Sequence, residues 1–278
     1  MTTSNTSKVS CYIHGAAPEE QQRLSMLNNL LNERCLRELN LKGGERILDV
    51  GSGLGQLSRA MARASGVKVT CIERDQAQLA SAQRLAAEAG ESALVEFRQG
   101  DATDLPLTPK ERGSFDVVFT RFLLEHVPHP QLVVEEMLKA ARAGGRVVLA
   151  DDDHITYRCI PEPPGFAALW QAYIRSYDRL GNDPYVGMHL VSLLYEAGAR
   201  QIRNSAVFFG DCAGNPTFQA YSDNVVGILL GAKKLIIREK LLDEQSFDLG
   251  IEGFRAWSQR PDAAMWYTIC WAEGVKVL

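Results

Sequence analysis

The stretch Ile47–Ser58, ILDVGSGLGQLS, passes from apolar to glycine-rich to helical within one short segment. An apolar strand running straight into a glycine turn and a helix is the first half of a strand–helix–strand unit, whose two strands lie parallel. The same rhythm recurs downstream. Strands are expected at 46–50, 67–72 (VKVTCI), 93–98, 115–119 (FDVVF) and 146–150, with helices at 56–64, 76–89 and 131–143. Parallel strands joined by right-handed crossovers bury both sheet faces under helices. The expected class is therefore α/β, a Rossmann-like, mostly parallel sheet with helices on both faces.

With 278 residues, 46% of them hydrophobic and 23% charged, the chain is long enough for one large domain or a core carrying an insertion. Ahead of the first strand, Leu24, Leu27, Leu30, Leu31, Cys35 and Leu39 recur at helical spacing, so 1–40 reads as an N-terminal helical segment. The remainder, 41–278, reads as the main domain. After Asp153 the alternation stops. Prolines at 161, 163 and 164, followed by Trp170, Tyr173 and Tyr177, mark a helical insertion over about 155–190. A helix at 190–197 and a sixth strand at 206–209 follow. A second helical insertion spans about 211–258, and a closing strand 264–272. The helices of 211–258 suit either a lid or a homodimer interface.

Composition excludes some functions. A formal net charge of −4 gives no basic face for nucleic-acid phosphates. The polar start MTTSNTSKVS shows no secretory signal, and the longest apolar run, Val225–Leu230, is too short to span a bilayer. Six cysteines without a Cys-x-x-Cys pair read as reduced thiols of a cytoplasmic protein. The five histidines show no ligand spacing, so no metal is expected.

The glycine turn carries a carboxylate, Asp49, just ahead of Gly51, Gly53 and Gly55. Missing Cβ atoms let the backbone approach a ligand closely. A pyrophosphate would be repelled by Asp49; an ammonium or sulfonium would not. Asp49 also reads as a buried acid that orients the turn. Glu73 closes the second strand, where an acid accepts ribose hydroxyls. Asp101 closes the third, where it can accept from an adenine amine while the Ala102 amide faces a ring nitrogen. Both also suit helix N-capping. One acid for a cationic head, one for ribose and one for adenine match S-adenosylmethionine. In the dinucleotide fingerprint the third glycine comes one residue later than Gly55, which counts against a nicotinamide-dependent oxidoreductase.

ILDVGSGLG, CIERD, GDATDLPL, FDVVFTRFLLEHV and ARAGGRVVLAD, in that order, resemble the class I S-adenosylmethionine-dependent methyltransferases, small-molecule branch, including ubiquinone and menaquinone biosynthesis enzymes. The resemblance implies a seven-stranded sheet whose last strand is antiparallel, with 264–272 as candidate. It also implies a cofactor site of Asp49, Gly51, Ser52, Gly53, Glu73, Arg74, Asp101, Ala102 and Arg121. Arginine is unusual at position 121, where a backbone contact serves as well as a side-chain one. A Tyr-containing N-terminal segment folds over the cofactor in such enzymes. On that reading Tyr12 covers the methionine end and Arg23 pairs with its carboxylate, or Arg23 sits solvated on an amphipathic helix.

Methyl transfer needs nucleophile and methyl in line at about 3–3.5 Å. A hydroxyl acceptor also benefits from a base. Base candidates are His154, with Asp153 orienting it, and His126; each also suits a structural role. His14 could touch the acceptor. Trp170, Tyr173 and Tyr177 share one helix face as acceptor-pocket wall or core, with Tyr185, Met188 and Phe218 as further apolar candidates. The expected activity is methylation of O, N or C on a small, apolar or aromatic metabolite. A non-catalytic cofactor-fold binding protein remains the other class.

Overall fold

The computed structural model describes residues 18–277. Tyr12 and His14 lie outside the described residues. In chain order the elements are α1 (Pro18–Leu39), β1 (Ile47–Val50), α2 (Gln56–Ser65), β2 (Val69–Glu73), α3 (Gln76–Glu88), β3 (Val95–Gln99), β4 (Phe115–Arg121), α4 (Pro130–Ala140) and β5 (Ala141–Asp152). They continue with β6 (Arg158–Ile160), α5 (Phe166–Asp178), α6 (Leu190–Ala197), β7 (Ala199–Phe208), β8 (Asp211–Cys212), α7 (Phe218–Arg238), α8 (Glu244–Ser258), β9 (Ala264–Trp266) and β10 (Thr268–Lys276).

The main sheet has seven strands in the order β3-β2-β1-β4-β5-β10-β7. Strands β3 to β5 are parallel, and β10 runs antiparallel between β5 and β7. β1 and β2 are buried along their whole length, so they read as mostly apolar runs, with the acids Asp49 and Glu73 near their carboxyl ends. The order reverses between β1 and β4, the place where open α/β sheets leave a crevice beyond the strand ends. One apolar cluster lies under α1, α2 and the inserted helices; another packs α4 and α6 on the opposite face.

Three boundaries differ from expectation. Strand β5 starts at Ala141, within the segment expected to close a helix, and the pairing of β4 with β5 shifts register between Phe115 and Val117. There Gly145 passes so close that a Cβ would lie 2.8 Å from the Phe115 carbonyl oxygen. Strand β7 runs from Ala199, not 206, because α6 ends on Gly198 at φ 102 and the chain enters the sheet at once. β7 is an edge strand with mostly exposed polar side chains, a pattern that hides it from a hydrophobicity reading. The expected strand 264–272 is two strands. β9 joins β6 and β8 in a small three-stranded sheet, and Tyr267 stands between it and β10. The insertion at 155–190 carries α5, and that at 211–258 carries α7 and α8. These pack on one another, and α7 also packs on α1.

Candidate active site

The glycine turn after β1 is conformationally special at three alternate positions: φ is 75° at Gly51, 53° at Gly53 and 66° at Gly55. L-residues rarely adopt such angles, and at Gly55 a Cβ would also lie 2.6 Å from the Phe97 ring. The amides of Gly51 and Ser52 both donate to the Ile72 carbonyl, at 2.8 and 3.0 Å, which ties the turn to β2. Beside it Asp49 is buried and accepts from Ser58 Oγ at 2.5 Å. Burial pushes the Asp49 carboxyl up to about 6, against the opposing pull of Ser58 and Arg121. Glu73 accepts from the Gly53 amide at 2.9 Å and the Asp75 amide at 2.8 Å. Burial outweighs those bonds and raises its pKa.

Asp101 accepts from the Thr103 amide and hydroxyl at 2.8 and 2.7 Å. Burial works upward on its carboxyl but loses to those bonds, so it sits below the usual carboxylate range. Ala102 is half-buried beside it, and Arg74 is exposed at the end of β2. Thus Asp49, Gly51, Ser52, Gly53, Glu73, Arg74, Asp101 and Ala102 line up across the carboxyl ends of β1, β2 and β3. Arg121 behaves differently. Its guanidinium donates to Asn28 Oδ1 at 2.6 Å, Asn32 Oδ1 at 3.1 Å and Cys35 Sγ at 3.3 Å. That side chain fastens α1 to the sheet.

Beyond β4 and β5, under α1, α5 and α7, lies a cavity with about 630 Å³ of empty space, its mouth included. Phe122, Tyr157, Trp170, Tyr173, Tyr177, Phe209, Tyr221 and Tyr267 supply aromatic wall; Arg23, Glu125, His126, Asp152, His154 and Asn224 supply the polar wall. Arg23 donates from Nη1 to Asn224 Oδ1 at 2.7 Å, linking α1 to α7. Phe122 enters the wall at φ 55°, a left-handed conformation unfavourable for an aromatic residue. Tyr185, Met188 and Phe218 do not line the cavity; Met188 is 60% exposed, and Phe218 packs in the core.

His154 is the centre of the polar wall. Its Nε2 lies 3.1 Å from Glu125 Oε2 and its Nδ1 3.0 Å from the Tyr267 hydroxyl. The Trp170 indole donates to the His154 carbonyl at 2.9 Å, and the hydroxyls of Tyr173 and Tyr177 meet at 2.9 Å. Burial lowers the pKa of His154 and takes that of His126 down to about 3, so both rings are neutral. Burial raises Glu125 to about 7.

The three adjacent acids separate into three roles. Asp151 accepts from the amides of Leu123 and Leu124 at 3.1 and 2.8 Å, holding the turn after β4. Asp152 faces the cavity. Asp153 accepts from the Ile155 amide at 3.1 Å and caps the turn His154–Thr156. Asp153 therefore does not orient the His154 ring; Glu125 and Tyr267 do. The sequence does not mark Glu125, Tyr157, Asn224 and Tyr267 as site residues, and it shows Asp152 only as one of three adjacent acids, Asp151–Asp153, that repel unless solvated, paired or bound to a cation. Glu125 had a legible signal, an acid inside the apolar run Phe122-Leu-Leu-Glu-His-Val127.

A mostly parallel sheet with acids at successive strand tips, a glycine turn at the reversal point and a covered cavity beside it is an α/β architecture with its ligand crevice at the reversal point. The methyltransferase domain family model matches residues 48–149. A ubiquinone biosynthesis O-methyltransferase of Aromatoleum aromaticum is 31% identical over 199 residues, 69% of this chain and 79% of that protein. Its counterpart in Pseudomonas syringae pv. tomato is 44% identical over 146 residues, 52% of this chain and 56% of that one. Among solved structures, a putative methyltransferase of Bacillus halodurans superposes with TM-score 0.57 at 20% identity, covering 89% of this chain and 99% of that one. The chain belongs to the class I S-adenosylmethionine-dependent methyltransferases. It spans about half the length of the first curated relatives it matches.

The residues present fit that cofactor. The positive-φ glycines open the turn to a ligand, and Ser52 Oγ is buried there without a hydrogen-bond partner among the described residues.

Proposed function

We propose that the protein methylates an oxygen of a small, apolar or aromatic metabolite held in the cavity. One observation carries the reading: two chain neighbours, Leu123 and Phe122, touch the glycine turn and the cavity respectively. Leu123 packs where a Gly51 Cβ would be, 3.0 Å away, while its neighbour Phe122 lines the cavity. S-adenosylmethionine supplies a methyl group made electrophilic by positive sulfur. Asp49 contributes negative charge to the turn, Glu73 acceptor oxygens for ribose, and Asp101 with Ala102 a donor–acceptor pair for adenine. Arg23, on α1, belongs to the cover of the cavity, where it donates to Asn224.

The aromatic walls seat an apolar ring and exclude water, which strengthens every polar contact inside. Glu125, Asp152 and His154 line the part of the cavity that would hold the acceptor's hydroxyl, and a carboxylate oxygen of Glu125 or Asp152, or His154 Nε2, takes its proton, a contribution of about 10²–10⁴-fold. His126, neutral and stacked at 6.0 Å on Tyr177, holds the wall. Oxygen is favoured over nitrogen or carbon by the O-methyltransferase relatives. In this reading α7 and α8 form a lid, not a homodimer interface, and the protein works in the cytoplasm. No helix among the described residues is long and apolar enough to cross a membrane. The test is calorimetry with S-adenosylhomocysteine, then a metabolite screen that follows release of that product. Failure to bind it would end the reading.

A further inference from the structure

Among the described residues, Glu125, Asp152 and His154 each place one ligand atom so that all three lie within 4.8 Å of one another. A divalent ion bound at about 2.0–2.2 Å by imidazole nitrogen and carboxylate oxygen separates neighbouring donors by about 3 Å. His154 Nε2 and Glu125 Oε2 are 3.1 Å apart.

Two further observations point to a ligand, although Tyr267 bonds the Asp152 carboxyl and Tyr177 that of Glu125. Asp152 is only 8% exposed and lines the cavity, yet its Oδ1 has no hydrogen-bond partner among the described residues. A buried carboxylate oxygen left without a donor is costly unless a cation or donor arrives. Second, the Tyr267 hydroxyl lies 3.0 Å from Nδ1 on the other side of the imidazole. Partners of this kind fix the tautomer and aim the other nitrogen at a metal.

We propose that Glu125, Asp152 and His154 bind one divalent first-row cation, Mn²⁺, Fe²⁺ or Zn²⁺, in the polar wall of the cavity. The mixed nitrogen and carboxylate set suits these ions better than Mg²⁺, which prefers oxygen alone. Three protein ligands leave coordination positions open. Because all three residues line the cavity, those positions face it, and there an acceptor oxygen would complete the sphere. Only this last role rests on the methyltransferase reading; the binding site itself does not. The sequence concealed it because Glu125 follows β4 while Asp152 and His154 come from the end of β5.

The experiment titrates chelator-stripped protein with MnCl₂ and separately with ZnCl₂ by calorimetry, and records pulsed electron paramagnetic resonance of the Mn²⁺ form. Expected are one ion per chain, a coupling to imidazole nitrogen, and affinity lowered about tenfold or more in Asp152→Asn and Glu125→Gln. Absence of saturable binding, or affinity unchanged in both variants, would overturn the proposal. Should the variants not fold, the wild-type spectrum decides: one bound ion with no nitrogen coupling also overturns it. S-adenosylhomocysteine titrated into the same sample keeps the two readings apart. Its binding without the ion sinks only this proposal, and the ion without its binding sinks only the methyltransferase reading.

Discussion

His154 Nε2 and Glu125 Oε2 meet at 3.1 Å although they stand 29 residues apart, on turns at the ends of adjacent parallel strands. The contact joins the turn after β4 to the turn after β5 in one polar wall. Glu125→Gln preserves shape and removes the charge. It should lower kcat about 10²-fold while S-adenosylhomocysteine affinity stays within about twofold. Steady-state kinetics beside calorimetry checks this; equal loss in both would make Glu125 a folding residue.

The glycine turn offers a stability contrast. Gly55→Ala meets both an unfavourable φ and the Phe97 ring 2.6 Å away, whereas Gly66, at φ 74°, has nothing within 4 Å of its Cβ position. Gly66→Ala should cost about 1 kcal/mol from backbone conformation alone. Gly55→Ala should cost about 2–4 kcal/mol, with overpacking added. Urea midpoints of the two variants measure the difference, and equal shifts would refute the close contact.

Asp49 predicts a pH dependence with a definite sign. Its folded pKa, about 6, lies above the unfolded 3.8. Between those values the folded state holds more protons, so stability falls as pH rises from about 4 to 6. The fall is of the order of 3 kcal/mol. Above pH 6 the cost of the buried charge is constant. A cationic ligand that favours ionised Asp49 should bind more weakly as pH drops below 6. Asp49→Asn removes this component of both profiles; isothermal titration and denaturation across pH 4–7.5 compare the two proteins.

Trp170 is tied to the wall through its indole bond to the His154 carbonyl at 2.9 Å. Trp170→Phe keeps most of the ring volume and drops that bond. A loss of about 1 kcal/mol in stability is expected, with a fall in acceptor kcat/KM and unchanged S-adenosylhomocysteine binding. Trp170→Ala is too blunt for the purpose, since a void of that size costs about 3–5 kcal/mol.

Arg121 should matter for α1 more than for catalysis. Arg121→Met removes its bonds to Asn28, Asn32 and Cys35 while keeping an apolar stem. Amide exchange over α1 should quicken about tenfold or more, reflecting loss of charged hydrogen bonds each worth about 1.5–3 kcal/mol. Unchanged exchange would show that α1 is held by its apolar face alone.

The sequence by itself determined the parallel sheet, the glycine turn and the acids at its strand tips. Those features are local. An apolar strand, a carboxylate at its third residue and a turn whose φ angles favour glycine follow one another along the chain. Tertiary structure alone decided the chemistry of the cavity. Glu125, Asp152, His154 and Tyr267 come from three separate turns, and only the order β4-β5-β10 brings those turns side by side. It also divided Asp151, Asp152 and Asp153, identical in sequence, into a turn holder, a cavity wall and a cap. Alternate residues of an extended chain face opposite ways, and each carboxylate met different donors.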